Sequence, residues 1–592
     1  MPAARIRPRT VLCAASLAAA LCGAIPATAA AAAPPAWDEQ AQAIAIPWPR
    51  LQEPDGHFRD YILARDPSDG RDDYGDPMLG YALLLTADRR NDATLADSGL
   101  RALERSLEHP ARSPSTQVFH NLAVVSAYNL ARTRFGEHPV FQRARERWEA
   151  YVRAIAPLRL RAGQRVTNKS IVEAVVLLEQ AAAGLGGDAA GRVELVKDFL
   201  SKDLPRAAMP FERGGRAILG DLPLLPPAYH GLSVGMLGRA IALLGDEAPS
   251  AARWLLSRAM TASLVATAPN GDVAYYGRSQ LTAWTLTLTG YGAEVAAGLP
   301  GPPALAPSFR RLANLTIRRL AFGYPYDRPE GFLHTPSLAQ GIDAALPGLD
   351  DYVAATPYVG LTLATLEWAI AAAPEGDVDR LGSAIAGTTF VLGRGKGAWA
   401  TARRGDVWLA VRPARTSLRD LRYDFGLVAL KVRSSGIWYD AMPVRPRTAS
   451  RDDTAGPLLS RGGSTAAPEA TSLAARKGGG VVATGGFRTS SGTWVRRGVR
   501  FEYAPTKCGV RLSFPVKAGD RIAYSAFFAL PPRRSGRRLR DARQEVVLSR
   551  DASVTVERGY SSGAETDLHR ARIRFPRARR SGSISITTCI RP

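Results

Sequence analysis

"PPAYHGLSVGMLGRAIALL", Pro226 to Leu244, is the stretch on which the reading of the fold turns. Its apolar residues recur at three- and four-residue intervals, the period of a helix with one buried face. The two prolines stand at the front, where a helix tolerates them, so a Pro-broken segment delivers Tyr229 and His230 to a helix start.

The same period continues on both sides. From about Trp37 to Pro374 the chain reads as helix after helix, among them "PMLGYALLLTAD", "QVFHNLAVVSAYNLARTRF", "NKSIVEAVVLLEQAAAGL", "RSQLTAWTLTLTGYGAEVA" and "YVGLTLATLEWAIAAA". Short loops rich in Gly, Pro and Asp separate them, which favours antiparallel helical hairpins stacked side by side. No strict repeat is present, so a TPR-like solenoid is not supported. From about Gly387 the pattern changes to short β-branched and aromatic runs such as "VWLAVRPA", "GVRLSFPV", "RIAYSAFFAL" and "GSISITT", the signature of an antiparallel sheet or sandwich. Arg445 to Gly480 shows no period and reads as a long loop.

The N-terminus carries Arg5, Arg7 and Arg9, an apolar run from Thr10 to Ile25, and Ala27-Thr28-Ala29, which together read as a secretory signal peptide over 1–29. Leu21 before Cys22 disfavours lipid attachment. No later run reaches about 18 apolar residues, so stable membrane insertion is not expected. The chain carries a formal charge of +23, and loss of the three leader arginines lowers it to +20. Such an excess attracts polyanions. No zinc finger or RNP motif is present, which argues against nucleic acid and leaves acidic glycan as the expected partner. Removal of the leader would leave two cysteines, Cys508 and Cys589, both in strand-like contexts, which read as one structural disulfide in an oxidising compartment. There is no CxxC, HExxH, phosphate-binding loop or GxSxG elbow; no cofactor and no metal at the site is expected, and a metal in the β region is left open.

A basic chain with a leader, a helical-hairpin region of roughly 340 residues and a β region of roughly 200 resembles the heparinase and alginate lyase type of polysaccharide lyase. "PPAYHGLSVGMLGRAIALL" is similar to that family's Tyr-His at a toroid helix start, and "TNKSIVEAVVLLEQAAAGL", Thr167 to Leu185, to its Asn-led helix. Lys169 stands where several of those families have His after the Asn. The resemblance implies an α+β multidomain fold: an N-terminal (α/α) incomplete toroid of helical hairpins over 30–380, then an antiparallel β-sandwich over 381–592. It also implies β-elimination of a uronic-acid-containing polysaccharide.

Elimination beside a uronate requires neutralising the carboxylate before the C5 proton is taken, and then a base and an acid. Asn168 and Arg278 are the expected carboxylate partners. His230 is the expected base, with Gly231 leaving room beside it for a ligand; a helix cap or a core hydrogen bond is its structural alternative. His57, His120 and His334 compete for the role. In "PNGDVAYYGRSQLTAW", Pro269 to Trp284, Tyr276 is the expected proton donor at a helix start led by Arg278. Tyr275 and Tyr229 are expected to contact substrate, and packing is the alternative for the tyrosine pair. Trp284, Tyr324, Tyr326 and Tyr352 can stack on sugars or pack in the core. Two other functions remain open. One is a toroidal hydrolase using paired carboxylates from Asp55, Asp73, Asp272 and Asp351. The other is a non-catalytic glycan-binding protein. The basic run "PPRRSGRRLRD" reads as a solvated loop.

Overall fold

The computed structural model describes residues 36–59, 74–108, 117–160, 165–220, 225–301, 305–323, 355–373, 389–413, 420–446, 456–562 and 565–591. The expected signal peptide lies outside them, as do Asp73, His334, Asp351, Tyr324, Tyr326 and Tyr352.

Thirteen helices precede the first strand among the described residues. They are α1 Trp37–Ala45, α2 Gly75–Arg90, α3 Ala93–Glu108, α4 Val118–Arg134, α5 Pro139–Ala154, α6 Asn168–Ala183 and α7 Ala189–Asp198, then α8 Leu204–Ala208, α9 Pro227–Leu244, α10 Ser250–Ala266, α11 Ala283–Gly298, α12 Leu305–Gly323 and α13 Ala355–Ala372. Six of them pack in a closed cycle, α2 on α4, α4 on α6, α6 on α9, α9 on α11, α11 on α13 and α13 back on α2. The helices between them in sequence lie outside this ring, α3 against α2, α5 against α4, α7 against α6, α10 against α9 and α12 against α11. Because inner and outer helices alternate and run antiparallel, all six inner helices point the same way. Their N-termini therefore meet at one mouth.

The inner helices approach closely because glycines remove side chains where they touch. A Cβ at Gly235 of α9 would stand 2.4 Å from Leu288 of α11, and one at Gly292 would stand 3.0 Å from the Val234 carbonyl. The space beside Gly231 is filled in the same way by Thr289, 2.9 Å from where a Cβ would be, so it is a helix contact and not ligand room. Toward the C-terminal ends the ring is plugged by a buried polar network. Arg239 donates to Glu179 at 2.7 Å, Asn129 donates to Glu179 at 2.9 Å, and Trp368 donates to Tyr81 at 3.0 Å beneath the Arg239 guanidinium. The N-termini of the six inner helices gather at the opposite end of the ring.

The β region forms two antiparallel sheets. The strands that matter here are β1 Thr389–Leu392, β2 Trp399–Arg404, β3 Val407–Arg412, β4 Gly426–Ser434, β5 Ile437–Asp440, β6 Leu458–Arg461, β7 Ser464–Ala475, β8 Val481–Arg488, β9 Trp494–Pro505, β10 Gly509–Val516, β11 Arg521–Phe528, β12 Arg533–Ser535, β13 Arg538–Arg540, β14 Gln544–Leu548, β15 Ser553–Ser562, β16 Glu565–Arg574 and β17 Gly582–Ile590. The first sheet is the meander β1 to β5, and the second has the order β12-β13-β14-β17-β10-β9-β8-β7-β6-β11-β16-β15. Side-chain alternation splits the small sheet between two cores. Ala400, Leu409 and Val432 pack toward Phe501, Phe514 and Ile586 of the large sheet. Trp399, Trp408 and Ala410 pack toward Ile218, Ala262, Tyr275 and Tyr276 of the helical region. The small sheet is thus a buried layer between helices and large sheet, and β3 is buried at every position.

The expected loop at 445–480 contains the β6–β7 hairpin instead, turned by Gly462 and Gly463 with φ 55° and 79°. Its strand "STAAPEATSLAA" has few β-branched residues, so the sequence lacked the usual strand signal. Cys508 and Cys589 form the expected disulfide, joining the start of β10 to the end of β17. No helix among the described residues is long and apolar enough to cross a membrane.

Candidate active site

The mouth is lined by the first residues of the inner helices. At α6, Thr167 is the N-cap and its N–H donates to Ser170 Oγ at 3.2 Å, which fixes the helix start and leaves Asn168 in its first position, 6% exposed. At α9, Tyr229 lies two residues past the leading Pro227. Its ring meets Trp284, the second residue of α11, edge to face at 6.3 Å. At α2, α4 and α13, Tyr74 stacks on Phe119 at 5.2 Å and meets Tyr358 edge to face at 6.4 Å. His57 sits beside the α2 start, with Nδ1 2.8 Å from Asp76, while Asp76 also accepts the Phe58 N–H at 2.9 Å. In the ring order α2 and α9 are opposite one another, so aromatic clusters stand on two sides of the ring at this end.

Arg278 reaches the same place from a strained segment. Helix α11 begins at Ala283, five residues later than the sequence suggests, and 273–282 is irregular. Gly277 has φ 82°, and Ser279 and Leu281 hold φ 57° and 50° without being glycine. Such residues cost of order 1–3 kcal/mol each and persist only where the surroundings fix them. Here the small sheet's side of the molecule does so. The Gly277 N–H donates to the Arg422 carbonyl at 3.2 Å, the Arg278 N–H donates to the Tyr423 hydroxyl at 2.9 Å, and the Gln280 side chain donates to the Arg445 carbonyl at 3.0 Å. A Cβ on Gly277 would come within 2.8 Å of both Tyr423 and Pro226. The result is an Arg278 guanidinium 4.5 Å over the Tyr229 ring.

Two expected catalytic residues are elsewhere. His230 points outward from α9 to α10, not into the mouth. Its Nδ1 is 3.0 Å from both the N and O atoms of Leu219, and its Nε2 is 3.1 Å from Ser263 Oγ and 3.3 Å from the Ala259 carbonyl. Burial lowers its pKa to about 4, against the weaker opposing effect of the Leu219 and Ala259 backbone. With both nitrogens committed and 5% exposure, it ties α9 to α10 and is corrected from base to structural residue. Tyr276, 1% exposed, donates to the Leu225 carbonyl at 3.1 Å, and the Arg412 guanidinium lies 4.7 Å over its ring. Burial raises its pKa. Tyr275, equally buried, donates to the Ala266 carbonyl at 2.9 Å and accepts from Trp399 at 3.2 Å. Both tyrosines pack into the joint between helices and small sheet, so neither the donor role nor the contact role fits them. Asn168, Tyr229 and Arg278 remain at the mouth.

His120, also buried, is held by Tyr151 at 2.8 Å, and Tyr151 donates to Asn121 at 2.7 Å. Of the four acids weighed for a hydrolase, the two among the described residues are both ion-paired. Asp272 is 1% exposed and bound by Arg319 and Lys431, and Asp55 is bound by Arg105 at 2.9 Å. Sequence reasoning missed Tyr423, Gly277's part in placing Arg278, the His57–Asp76 pair, and the Tyr74, Phe119 and Tyr358 cluster. Tyr74, Phe119 and Tyr358 carried one signal, position at an inner-helix start, whereas Tyr423 lies between β3 and β4 and had none.

The sequence matches no family model and no curated protein. Among solved structures, the chain is similar to the chondroitin AC lyase of Streptomyces coelicolor A3, solved in complex with chondroitin sulphate, with 12% identity and a TM-score of 0.50 over 94% of this chain and 79% of that one. A heparinase III aligns with 10% identity and a TM-score of 0.45 over 86% of this chain and 76% of its own. The alpha-1,6-mannanase GH76A of Salegentibacter sp. HEL1_6 aligns with 12% identity and a TM-score of 0.37 over 57% of this chain and all of its own. The chain therefore has the toroid-plus-β fold of the first of these, and that likeness is one of fold alone.

Proposed function

We propose that this chain is an exported polysaccharide lyase that cleaves a uronic-acid-containing glycan by β-elimination at the mouth of the helical ring. One observation carries the reading: the Arg278 guanidinium is poised over the Tyr229 ring at an inner-helix start, with Asn168 heading the adjacent inner helix. A uronate seated there has its carboxylate partnered by Arg278 and the Asn168 amide, which spreads the charge that develops when C5 loses its proton. Tyr229, as a phenolate held beside the Arg278 cation, takes that proton and becomes the phenol that can donate it onward. The electron pair forms the C4–C5 double bond, the C4–O bond breaks, and the proton passes to the departing oxygen. No water is consumed. The formal charge of +23 and the fold shared with a chondroitin lyase support the same substrate class.

The experiment is incubation with a panel of uronate polysaccharides while ultraviolet absorbance is followed. An absorbing, unsaturated product from the wild type that is lost in Tyr229→Phe is the expected result. New reducing ends without absorbance mean hydrolysis and overturn the reading. Full activity in Tyr229→Phe moves the proton transfer to another group, with His57→Ala the next variant.

A further inference from the structure

The run that reads as a solvated basic loop, "PPRRSGRRLRD", is the β12–β13 hairpin at one edge of the large sheet. Its register sets Arg533 directly opposite Arg540, and Ser535 opposite Arg538. The pairing continues inward. Arg538 opposes Val547, Val547 opposes Thr587, and Thr587 opposes Arg511; one row over, Arg540 opposes Glu545, and Glu545 opposes Cys589. Arg533, Arg538, Arg540 and Arg511 are all exposed, while Leu539, Val546 and Val510 between them are buried. The four arginines thus share the outer face of the sheet. The inner face packs on the small sheet, so this surface is turned away from the helical ring.

Like charges directly opposite one another destabilise a strand pair. Among the described residues, Arg533, Arg540 and Arg511 nevertheless carry no ion pair or side-chain hydrogen bond; of the four, Arg538 alone has a carboxylate, Glu545 at 3.3 Å. Charges on a free edge are a known guard against edge-to-edge pairing. That explains Arg533 but not Arg511, which lies in the interior of the sheet with strands paired on both sides. Three strand steps separate Arg511 from Arg538, roughly 14 Å, and two residues along the strand separate Arg538 from Arg540, roughly 7 Å. A sheet face that spaces exposed arginines at these intervals, with only Arg538 of the four paired to a carboxylate, complements an extended chain with repeating negative charge.

We propose that this face of the large sheet docks a linear anionic polysaccharide at a surface distinct from the mouth. The choice of glycan rests on the substrate class proposed above; the docking itself does not depend on Tyr229. A chain held there stays tethered to the molecule after each cleavage, which raises the effective concentration of the next bond.

The test compares the full chain, the triple variant Arg511→Ser, Arg533→Ser, Arg540→Ser, and a charge-matched variant Arg153→Ser, Lys202→Ser, Arg206→Ser that removes exposed cations from the helical region. Binding to chondroitin sulphate and to heparin is measured at low temperature in the Tyr229→Phe background. We expect the first triple variant to bind about tenfold or more weakly at 0.1 M ionic strength, with the gap closing toward 1 M as the Debye length falls from about 10 to 3 Å. Equal loss in both triple variants means net charge alone is responsible and overturns the proposal. So does loss of binding to phosphatidylserine vesicles with glycan binding retained, which would make the occupant a lipid surface. If no polymer yields an unsaturated product but the selective loss persists, the lyase reading fails and the docking surface stands.

Discussion

Arg278 and Tyr229 are brought together by a glycine that belongs to neither helix. The guanidinium stands 4.5 Å over the phenol ring because Gly277, at φ 82°, lets the chain pass between Pro226 and Tyr423. Gly277→Ala therefore alters the position of Arg278 without touching a reacting group. We expect kcat/KM on a uronate polymer to fall at least tenfold while the fold is kept. Arg278→Ala should raise KM and lower kcat together, since a carboxylate partner acts in ground and transition states alike, whereas Tyr229→Phe should lower kcat by about 10²- to 10⁴-fold with binding retained. Steady-state kinetics on the three variants separates these cases, and an unchanged Gly277→Ala enzyme would refute the placement argument.

Asp272 links the helical region to the small sheet. It lies in the turn before the strained segment, and its carboxylate is bound by Arg319 of α12 and Lys431 of β4, which Asp440 of β5 also engages. Burial by itself raises the Asp272 pKa, but Arg319 and Lys431 outweigh it and hold the carboxyl well below the usual carboxylate range. This stability is present above the unfolded value near 3.8 and is lost as pH falls through the acid range below it. Asp272→Asn leaves Lys431, 2% exposed, with only Asp440, so we expect a loss of about 3–5 kcal/mol in urea unfolding at neutral pH. A change below about 1 kcal/mol would show that the joint does not depend on this pair.

Glu294 gives the opposite pH signature. It lies in α11, 3% exposed, with neither carboxyl oxygen hydrogen-bonded. Burial raises its pKa from 4.5 to about 7, with Arg310 of α12 opposing. A raised acid favours the fold fully below the unfolded value and loses that contribution as pH climbs through about 7. Glu294→Gln mimics the protonated form. Its Tm should match the wild type at pH 5 and exceed it at pH 8.5, by an amount equivalent to no more than roughly 3 kcal/mol. Parallel Tm curves across that range would mean Glu294 does not titrate there.

The periodicity in the sequence was enough to find the helices and the change to strands, because one buried face per helix imposes the 3.6-residue period, but it set the α11 start five residues early. It did not reveal direction. Tyr229 and His230 are neighbours in one turn, yet the first faces the mouth and the second faces α10, about 100° further round the helix. Period also says nothing of a third layer. Tyr275 and Tyr276 looked like site residues because they precede a helix, but Trp399 and Trp408 of the small sheet cover them, and no local pattern at 269–284 encodes strands more than 100 positions away. Arg278 was legible as a cation near a helix start, while the backbone that aims it is set by Tyr423, Arg422 and Arg445 from the other region.

His230 offers the sharpest contrast between the two readings of the helix start. As a base it would be indispensable to turnover and dispensable to folding. As the link from α9 to Leu219 and α10 it has the reverse profile. Its pKa, lowered to about 4 by burial against the Leu219 and Ala259 backbone, means the folded state holds it neutral. The stabilisation is present above the unfolded value of 6.5 and fades as pH falls toward 4, because the unfolded chain takes up the proton first. We expect His230→Ala to lower Tm at neutral pH, to lessen the loss of stability between pH 6.5 and 4, and to keep the pH profile of kcat for the fraction that remains folded. An unchanged Tm with activity abolished would return His230 to the reaction and take the proton transfer away from Tyr229.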